Sequence, residues 1–221
     1  MLHFFQEEKG SLIFRENGET VMVTPWGENS LRVRSVFFGD ILESDAALLP
    51  VEANEQKSKI EIGKMQASIT NGGIQAHMRV DGWGRALQIT FYNEKGEILL
   101  QEISNGGALQ KKARHFKALP GGGYRLKASF AAGSGEKIYG MGQYQQEVMD
   151  LKGCNLELAH RNSQASVPFY ISSLGYGFLW HNPAIGEVHF GSNTTEWVAE
   201  ETRQLDYWIT ALIQTPQEER P

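Results

Sequence analysis

Apolar and polar residues alternate along most of this chain of 221 residues. The alternation is clear over residues 11–38, 59–100 and 124–130. Successive side chains of a β-strand point to opposite faces of a sheet, so a period of two predicts half-buried strands. Turn-forming pairs such as Asn71-Gly72 and Asp81-Gly82 divide the second of these runs into shorter segments. Short strands punctuated in this way predict an all-β fold, an antiparallel β-sandwich with little helix.

Helical periodicity is scarce in the chain. No long segment with a period of 3.6 residues precedes residue 210, which disfavours a doubly wound α/β fold. Residues 40–49 are compatible with one short helix that Pro50 ends. Near the end, Thr215-Pro216 followed by acidic residues is typical of a helix start. We therefore expect one β-sandwich domain over residues 1–213 and the start of a linker or helix over residues 214–221.

Charge and composition exclude several classes of partner. The formal net charge is −5, and the densest basic spot, Lys111-Lys112 with Arg114, is too short for a nucleic-acid-binding stripe. No window approaches the roughly 18 apolar residues that a membrane span needs. The single cysteine, Cys154, excludes an intramolecular disulfide, and the first residues lack a signal-peptide pattern. We expect a cytoplasmic protein without nucleic-acid or membrane partners, and the sequence leaves its oligomeric state open.

Catalytic and metal-binding patterns are absent from the sequence. The six histidines form no metal-ligand spacing. Gly140-Met141-Gly142 and Gly133-Ser134-Gly135 lack the features of phosphate loops and indicate turns or bulges with positive φ. Glu157 lies between two leucines on a predicted strand and is expected to face solvent, and Asp206 is expected to be structural. We therefore predict no catalytic residue, no metal and no cofactor in this chain.

A polar stretch, residues 159–166, separates two strand-like segments and is the best candidate binding loop. Shortly after it, Tyr176, Phe178 and Trp180 alternate along one strand face. Flat rings near a polar loop are suited to stacking against sugars. Aromatic stripes in strands more often fill a core, so core packing is the favoured interpretation and a sugar platform is the alternative.

Three segments of the chain carry a resemblance to a known family. They are Ile138 to Gln143 (IYGMGQ), Pro168 to Gly177 (PFYISSLGYG) and Leu205 to Ile209 (LDYWI). In their order and spacing, over about residues 137–210, these segments resemble glycoside hydrolase family 31. Two departures from the commoner pattern, Met141 for leucine and Gln143 for glutamate, do not select one branch of the family.

The resemblance implies both a fold and a role. It implies a galactose-mutarotase-like N-terminal sandwich that precedes a (β/α)₈ barrel, with residues 214–221 leading towards that barrel. Members of the family are retaining α-glycosidases, including α-glucosidases and α-xylosidases, whose two catalytic aspartates lie on the barrel. The chain is thus expected to be a non-catalytic domain. Its loop would reach an α-linked glucoside or xyloside bound by the barrel, with Arg161, Asn162 and Gln164 as the substrate-binding residues.

Two alternatives remain at the level of sequence. The first alternative is a free-standing carbohydrate-binding sandwich that uses Trp180, Tyr176 and the polar loop. The second is a mutarotase-like epimerase. The epimerase needs a histidine pair and a glutamate in one cleft, for which His77, His115 and Glu157 are the candidates.

Overall fold

The fold is described by a computed structural model over residues 4–43, 47–50, 58–81, 86–104 and 112–212. Regular structure in these parts of the chain is entirely β, which confirms the all-β prediction. The described residues within 40–49 form no helix, and residues 44–46 lie outside the described ranges, as do residues 213–221. Among the described residues, no helix is long and apolar enough to cross a membrane.

The strands form three antiparallel sheets. The strands are β1 (Phe5–Glu8), β2 (Ser11–Glu16), β3 (Glu19–Pro25), β4 (Ser30–Phe37), β5 (Lys59–Ile62), β6 (Gln66–Asn71), β7 (Ile74–Val80), β8 (Leu87–Asn93), β9 (Ile98–Gln101), β10 (Arg114–Ala118), β11 (Tyr124–Ala131), β12 (Ile138–Gln143), β13 (Asn155–Leu158), β14 (Ala165–Ser172), β15 (Tyr176–Trp180), β16 (Gly186–Phe190), β17 (Thr194–Thr202) and β18 (Gln204–Ala211). The turn predicted from Asn71-Gly72 is present between β6 and β7: Asn71 ends β6 opposite Ile74, and Gly72 and Gly73 form the turn, while Gly82 lies outside the described ranges.

The large sheet has eight strands in the order β1-β2-β3-β4-β18-β15-β14-β12. A second sheet has the order β10-β11-β17-β16-β13, and a third has β5-β6-β7-β8-β9. One continuous cluster of buried apolar side chains draws on all three sheets. β18 lies in the middle of the large sheet, where it pairs with β4 on one side and β15 on the other.

The aromatic stripe on β15 belongs to this core. Tyr176, Phe178 and Trp180 are at most 1% exposed. The ring of Phe178 lies 5.2 Å from that of Tyr207 and 5.4 Å from that of Trp197, measured between centroids. Core packing is therefore confirmed, and the alternative of a sugar platform is wrong, because buried rings offer no face to a ligand.

A buried ion cluster joins the sheets. Arg114 at the start of β10 donates from Nε to Glu19 Oε1 of β3 at 2.7 Å and pairs through Nη1 with Glu102, which follows β9. Tyr207 of β18 donates to Glu102 Oε1 at 3.2 Å. Burial raises the pKa of Glu102, and the Arg114 guanidinium opposes that shift. The cluster thus joins the three sheets, because Glu19 lies on the large sheet, Arg114 lies on the second sheet and Glu102 directly follows the last strand of the third.

A second buried ion pair lies on the opposite face of the large sheet. Arg32 of β4 donates to Asp206 of β18 through Nε at 2.9 Å and through Nη2 at 2.7 Å. The guanidinium carbon also lies 4.4 Å from the ring centroid of Trp26. The structural role predicted for Asp206 is confirmed, since it anchors β18 to β4.

Candidate functional site

The predicted polar loop is a short hairpin that connects the two layers of the sandwich. β13, before it, belongs to the second sheet, and β14, after it, belongs to the large sheet. Arg161 and Gln164 each donate a backbone N–H to the carbonyl oxygen of the other, at 3.2 and 3.1 Å. Asn162 and Ser163 form the two-residue turn between them. We call residues 159–166 the tip hairpin.

Arg161 is held in place by Glu157. Its Nε donates to Glu157 Oε2 at 3.0 Å, and its Nη2 pairs with Oε1 of the same carboxylate. The hydrogen bond from Arg161 lowers the pKa of Glu157, and the same bond raises the pKa of Arg161. Glu157 faces solvent, as predicted, so it is an ionised acceptor that orients the guanidinium rather than a proton donor.

The base of the tip hairpin is fixed by hydrogen bonds. Gln164 Nε2 donates to the carbonyl oxygens of Glu157 and Ala159 at 3.2 and 3.0 Å. The hydroxyl of Tyr144 lies 2.8 Å from Ser166 Oγ and donates to the Glu157 carbonyl at 2.9 Å. Partial burial raises the pKa of Tyr144, so this hydroxyl keeps its proton at neutral pH. The amide nitrogen of Gln164 therefore supports the hairpin, whereas Asn162 is exposed at its turn.

Two depressions flank the tip hairpin, and Arg161 lines both. The first has a volume of about 470 Å³ and a polar wall. It is lined mainly by Gln143, Gln145, Arg161, Asn162, Ser163 and Gln164. Neutral amides, a hydroxyl and one guanidinium are groups that recognise a polyol by hydrogen bonds. The structure therefore places all three residues predicted to bind substrate, Arg161, Asn162 and Gln164, around one depression.

The second depression, about 320 Å³, lies at the base of the hairpin and is more apolar. His160, Trp180, His181, Asn182 and Ile185 contribute to its wall. The Trp180 indole Nε1 is buried and has no hydrogen-bond partner within the described ranges. The sequence did not indicate this depression, because its residues come from the hairpin and from the end of β15, whose adjacency depends on the pairing of β14 with β15.

The Gly140-Met141-Gly142 segment brings Gln143 and Gln145 to the first depression. All three residues have positive φ, of 124°, 69° and 90°. The prediction of a turn or bulge is confirmed as a bulge inside β12, where the register with β14 shifts between Gly140 and Gly142. A bulge bends its strand and turns the following side chains. This bend directs the end of β12 towards the hairpin.

Replacing Gly142 by alanine is expected to destabilise the chain more than the same change at Gly153. Both glycines have φ near +90°, so both substitutions carry a similar backbone strain of about 1–3 kcal/mol. A Cβ at Gly142 would lie 2.2 Å from the Ala165 carbonyl oxygen, whereas at Gly153 it would meet nothing within 4 Å. We expect Gly142→Ala to cost at least about 1 kcal/mol more. Urea unfolding of the two variants checks this, and equal midpoints would contradict it.

The described linings of the two depressions do not contain the pair of carboxyl groups that hydrolysis needs. In the part of the chain that is described, their linings include no aspartate or glutamate, whereas glycoside hydrolysis uses two carboxyl groups on either side of the bond. No group of three His, Cys, Asp or Glu side chains among the described residues is placed to hold a metal ion.

The epimerase alternative is contradicted by the topology. His77 lies on β7 of the third sheet, while His115 and Glu157 lie on β10 and β13, the two opposite edge strands of the second sheet. Four strand spacings separate those edges, which is about 19 Å. The three side chains therefore do not meet in one cleft.

The fold defines a β-sandwich module with a polar connecting hairpin. Residues 20–188 match the model of the glycosyl hydrolase 31 N-terminal galactose mutarotase-like domain. The chain belongs to this family and corresponds to the N-terminal part of its members, as the sequence motifs indicated.

Similar proteins include glucosidase and xylosidase relatives. An uncharacterized family 31 glucosidase of Pseudescherichia vulneris is 44% identical, over 93% of this chain and 41% of its own length. α-Xylosidase A of Aspergillus niger is 27% identical, over 94% of this chain and 30% of its own length. The crystal structure of a family 31 α-xylosidase from a soil metagenome, complexed with xylose, is 44% identical with a TM-score of 0.86. The match with this xylosidase covers 96% of the present chain and 32% of the xylosidase. The present chain therefore spans less than half the length of each of these relatives.

Proposed function

We propose that the full-length protein is a retaining α-glycosidase of the α-xylosidase type. In this proposal the chain is its non-catalytic N-terminal domain. The observation that carries it is the 44% identity, over nearly the whole chain, to an α-xylosidase whose structure contains xylose. Both catalytic carboxylates then lie in the C-terminal portion, in agreement with the family resemblance and with the described linings of the two depressions, which include no acidic residue.

The tip hairpin contributes hydrogen-bonding groups to the sugar site in this proposal. A guanidinium carries five N–H donors, and Glu157 takes two of those of Arg161. The remaining N–H donors of Arg161 and the exposed side-chain amide of Asn162 do not take part in the hydrogen bonds that hold the hairpin together. These groups suit the hydroxyl groups of a xyloside. Gln164 acts chiefly by holding the hairpin in shape, because its amide nitrogen is bonded to two backbone carbonyls.

An α-glucosidase is the second candidate. The relative from Pseudescherichia vulneris, named a glucosidase, is as similar to this chain as the soil xylosidase is. The two sugars differ by one hydroxymethyl group, and such a difference in a pocket changes relative rates by about 10–200-fold. Turnover of nitrophenyl α-xyloside and α-glucoside by the full-length protein separates the candidates. A higher kcat/KM on the xyloside supports the first, and a higher value on the glucoside supports the second.

Replacing Arg161 by alanine in the full-length protein is expected to lower kcat/KM by about 10–100-fold. The reason is the loss of a charged hydrogen bond to substrate, about 1.5–3 kcal/mol, with about 1.4 kcal/mol per factor of ten. Arg125→Ala is the matched control, because Arg125 is also exposed and paired with a glutamate, Glu200, but on the second sheet. Glu157→Gln keeps the guanidinium and removes only its anchor, so a smaller loss is expected.

These measurements test the reaction and the hairpin separately. No turnover of either glycoside by the full-length protein would reject the proposed reaction. Turnover with an unchanged kcat/KM in Arg161→Ala would reject the role of the hairpin while keeping the reaction. Hydrolysis by the isolated chain would contradict its assignment as a non-catalytic domain.

A further inference from the structure

The outer face of the large sheet is apolar over strands β12, β14 and β15. Tyr139, Val167 and Ile171 are exposed there, at 37%, 51% and 42%. Phe169 and Leu179 lie between them and are half-buried. We call these five side chains the outer apolar face.

The side chains of the outer apolar face are aligned across the strands. Tyr139 pairs with Ile171 on the neighbouring strand, and Phe169 pairs with Leu179. Trp208 of β18 lies opposite Leu179 and extends the Phe169–Leu179 pair by one more strand. Antiparallel sheets with one face in water ordinarily present polar residues outward. A row-by-row apolar surface is therefore unusual for a face that remains in solvent.

The opposite layer of the same domain follows the ordinary rule. On the second sheet, Arg125 pairs with Glu200 at 2.9 Å, and Lys127 pairs with Glu196 at 2.8 Å. These ion pairs are partly exposed. The apolar character of the first layer is thus a property of that face and not of the domain as a whole.

The chain itself covers the other half of the outer face of the large sheet. Glu43 pairs with Arg34 of β4 at 2.9 Å, and the Gln204 side chain exchanges two hydrogen bonds with the backbone of Leu42. The indole of Trp26 donates to the Leu49 carbonyl at 3.1 Å. The covered half is built from buried charges, while the half on β12, β14 and β15, which no described segment covers, is built from apolar side chains.

The path of the chain indicates what covers the apolar half. The relatives are two to three times longer than the chain, which corresponds to their N-terminal part. β18 is adjacent to β15, and the backbone N–H of Leu212 donates to the Gly175 carbonyl at the turn between β14 and β15. Polypeptide that continues past β18 in the relatives therefore starts beside this face. The tip hairpin runs directly into β14, so the same strand carries both the hairpin and the face.

We propose that the outer apolar face is the docking surface for the C-terminal catalytic portion of the full-length protein. This inference rests on the proposed function for the identity of that portion. Docking on the strand that follows the hairpin fixes the distance from Arg161 to the sugar site. An apolar sheet face needs an apolar partner surface of matching shape, which a folded domain of the same polypeptide supplies without a concentration requirement.

Hydroxyl-radical footprinting of the full-length protein and of the 221-residue chain, both without substrate, tests the docking surface. We expect the oxidation rate of Tyr139 to fall by at least about fivefold in the full-length protein, because the core of an interface is desolvated. The exposed Phe38, which directly follows β4, is expected to react equally in both. In full-length protein, Ile171→Lys should restore the reactivity of Tyr139, while Ile98→Lys, at a similarly exposed position of β9, should not.

Each outcome supports or overturns the proposal. Equal rates for Tyr139 in the two proteins would overturn it. Protection of Tyr139 in the short chain that grows with concentration would also overturn it, in favour of a second copy as the occupant. Val167→Asp is the second variant if Ile171→Lys lowers the folded fraction of the short chain. The readout needs no turnover, so protection without hydrolysis rejects the proposed reaction alone, and hydrolysis without protection rejects the docking surface alone.

Discussion

Replacing Arg114 by methionine is expected to lower the free energy of unfolding by about 3–5 kcal/mol. The guanidinium is 2% exposed and is bonded to Glu19 at 2.7 Å and to Glu102. Its removal leaves two carboxylates in the interior without their counter-charge. Burial already raises the pKa of Glu102, so loss of Arg114 is expected to raise it further. The variant should therefore be less destabilised at pH 5 than at pH 8, because protonation neutralises the unpaired glutamate.

Urea unfolding at the two pH values measures this effect. Arg125→Met is the matched control, since Arg125 also pairs with a glutamate but is 40% exposed, and its loss is expected to cost less than about 1 kcal/mol. Arg114→Lys keeps the charge without the planar fork and should fall between the two. Equal unfolding midpoints for Arg114→Met and Arg125→Met would show that the cluster contributes no more than a surface pair.

Replacing Asp206 by alanine is expected to cost a similar amount, about 3–5 kcal/mol. Asp206 accepts two hydrogen bonds from Arg32, and that arginine is fully buried. Truncation leaves the positive charge in the interior without its carboxylate. The pair also joins β4 to β18 in the middle of the large sheet, so the loss acts on the sheet as a whole.

A double substitution separates the cost of an unpaired charge from the value of the pair. Arg32→Met combined with Asp206→Leu removes both charges and keeps apolar volume, which is often neutral or stabilising for buried pairs. We expect the double variant to be more stable than Asp206→Ala by at least about 2 kcal/mol. Glu200→Ala, which breaks an exposed pair, is the control. A double variant as unstable as the single one would indicate that the lost hydrogen bonds, and not the charge, account for the effect.

Local patterns predicted most of what is local in the fold. Alternation gave the strands, and the Asn71-Gly72 pair gave a hairpin turn, because both depend on residues close in sequence. Glycines predicted positive φ and a turn or bulge at residues 140 and 142, but not which of the two, since a bulge is defined by a partner strand, β14, that pattern reading does not supply. Placement of Tyr176, Phe178 and Trp180 in the core was the favoured of two interpretations of their alternation, because aromatic stripes in strands more often fill a core.

The sequence patterns did not predict contacts between residues that are far apart along the chain. The Arg32–Asp206 pair joins residues 174 positions apart, and the depression at Trp180 forms only when β14 pairs with β15. Arg161, Asn162 and Gln164 meet at one depression, but their contact with sugar stays a prediction. The cytoplasmic location and the domain boundary at residue 213 also stay predictions.

The position of β18 has a consequence for synthesis. This central strand is formed by residues 204–211, whereas its neighbour β4 ends at residue 37. At a translation rate of about 5–20 residues per second, β18 is synthesised on the order of 10–30 s after β4. In that interval the free edge of β4 is an unpaired template for other strands. Nascent chains of this domain are therefore most vulnerable to misassociation before residue 211 leaves the ribosome, and slower elongation lengthens that window.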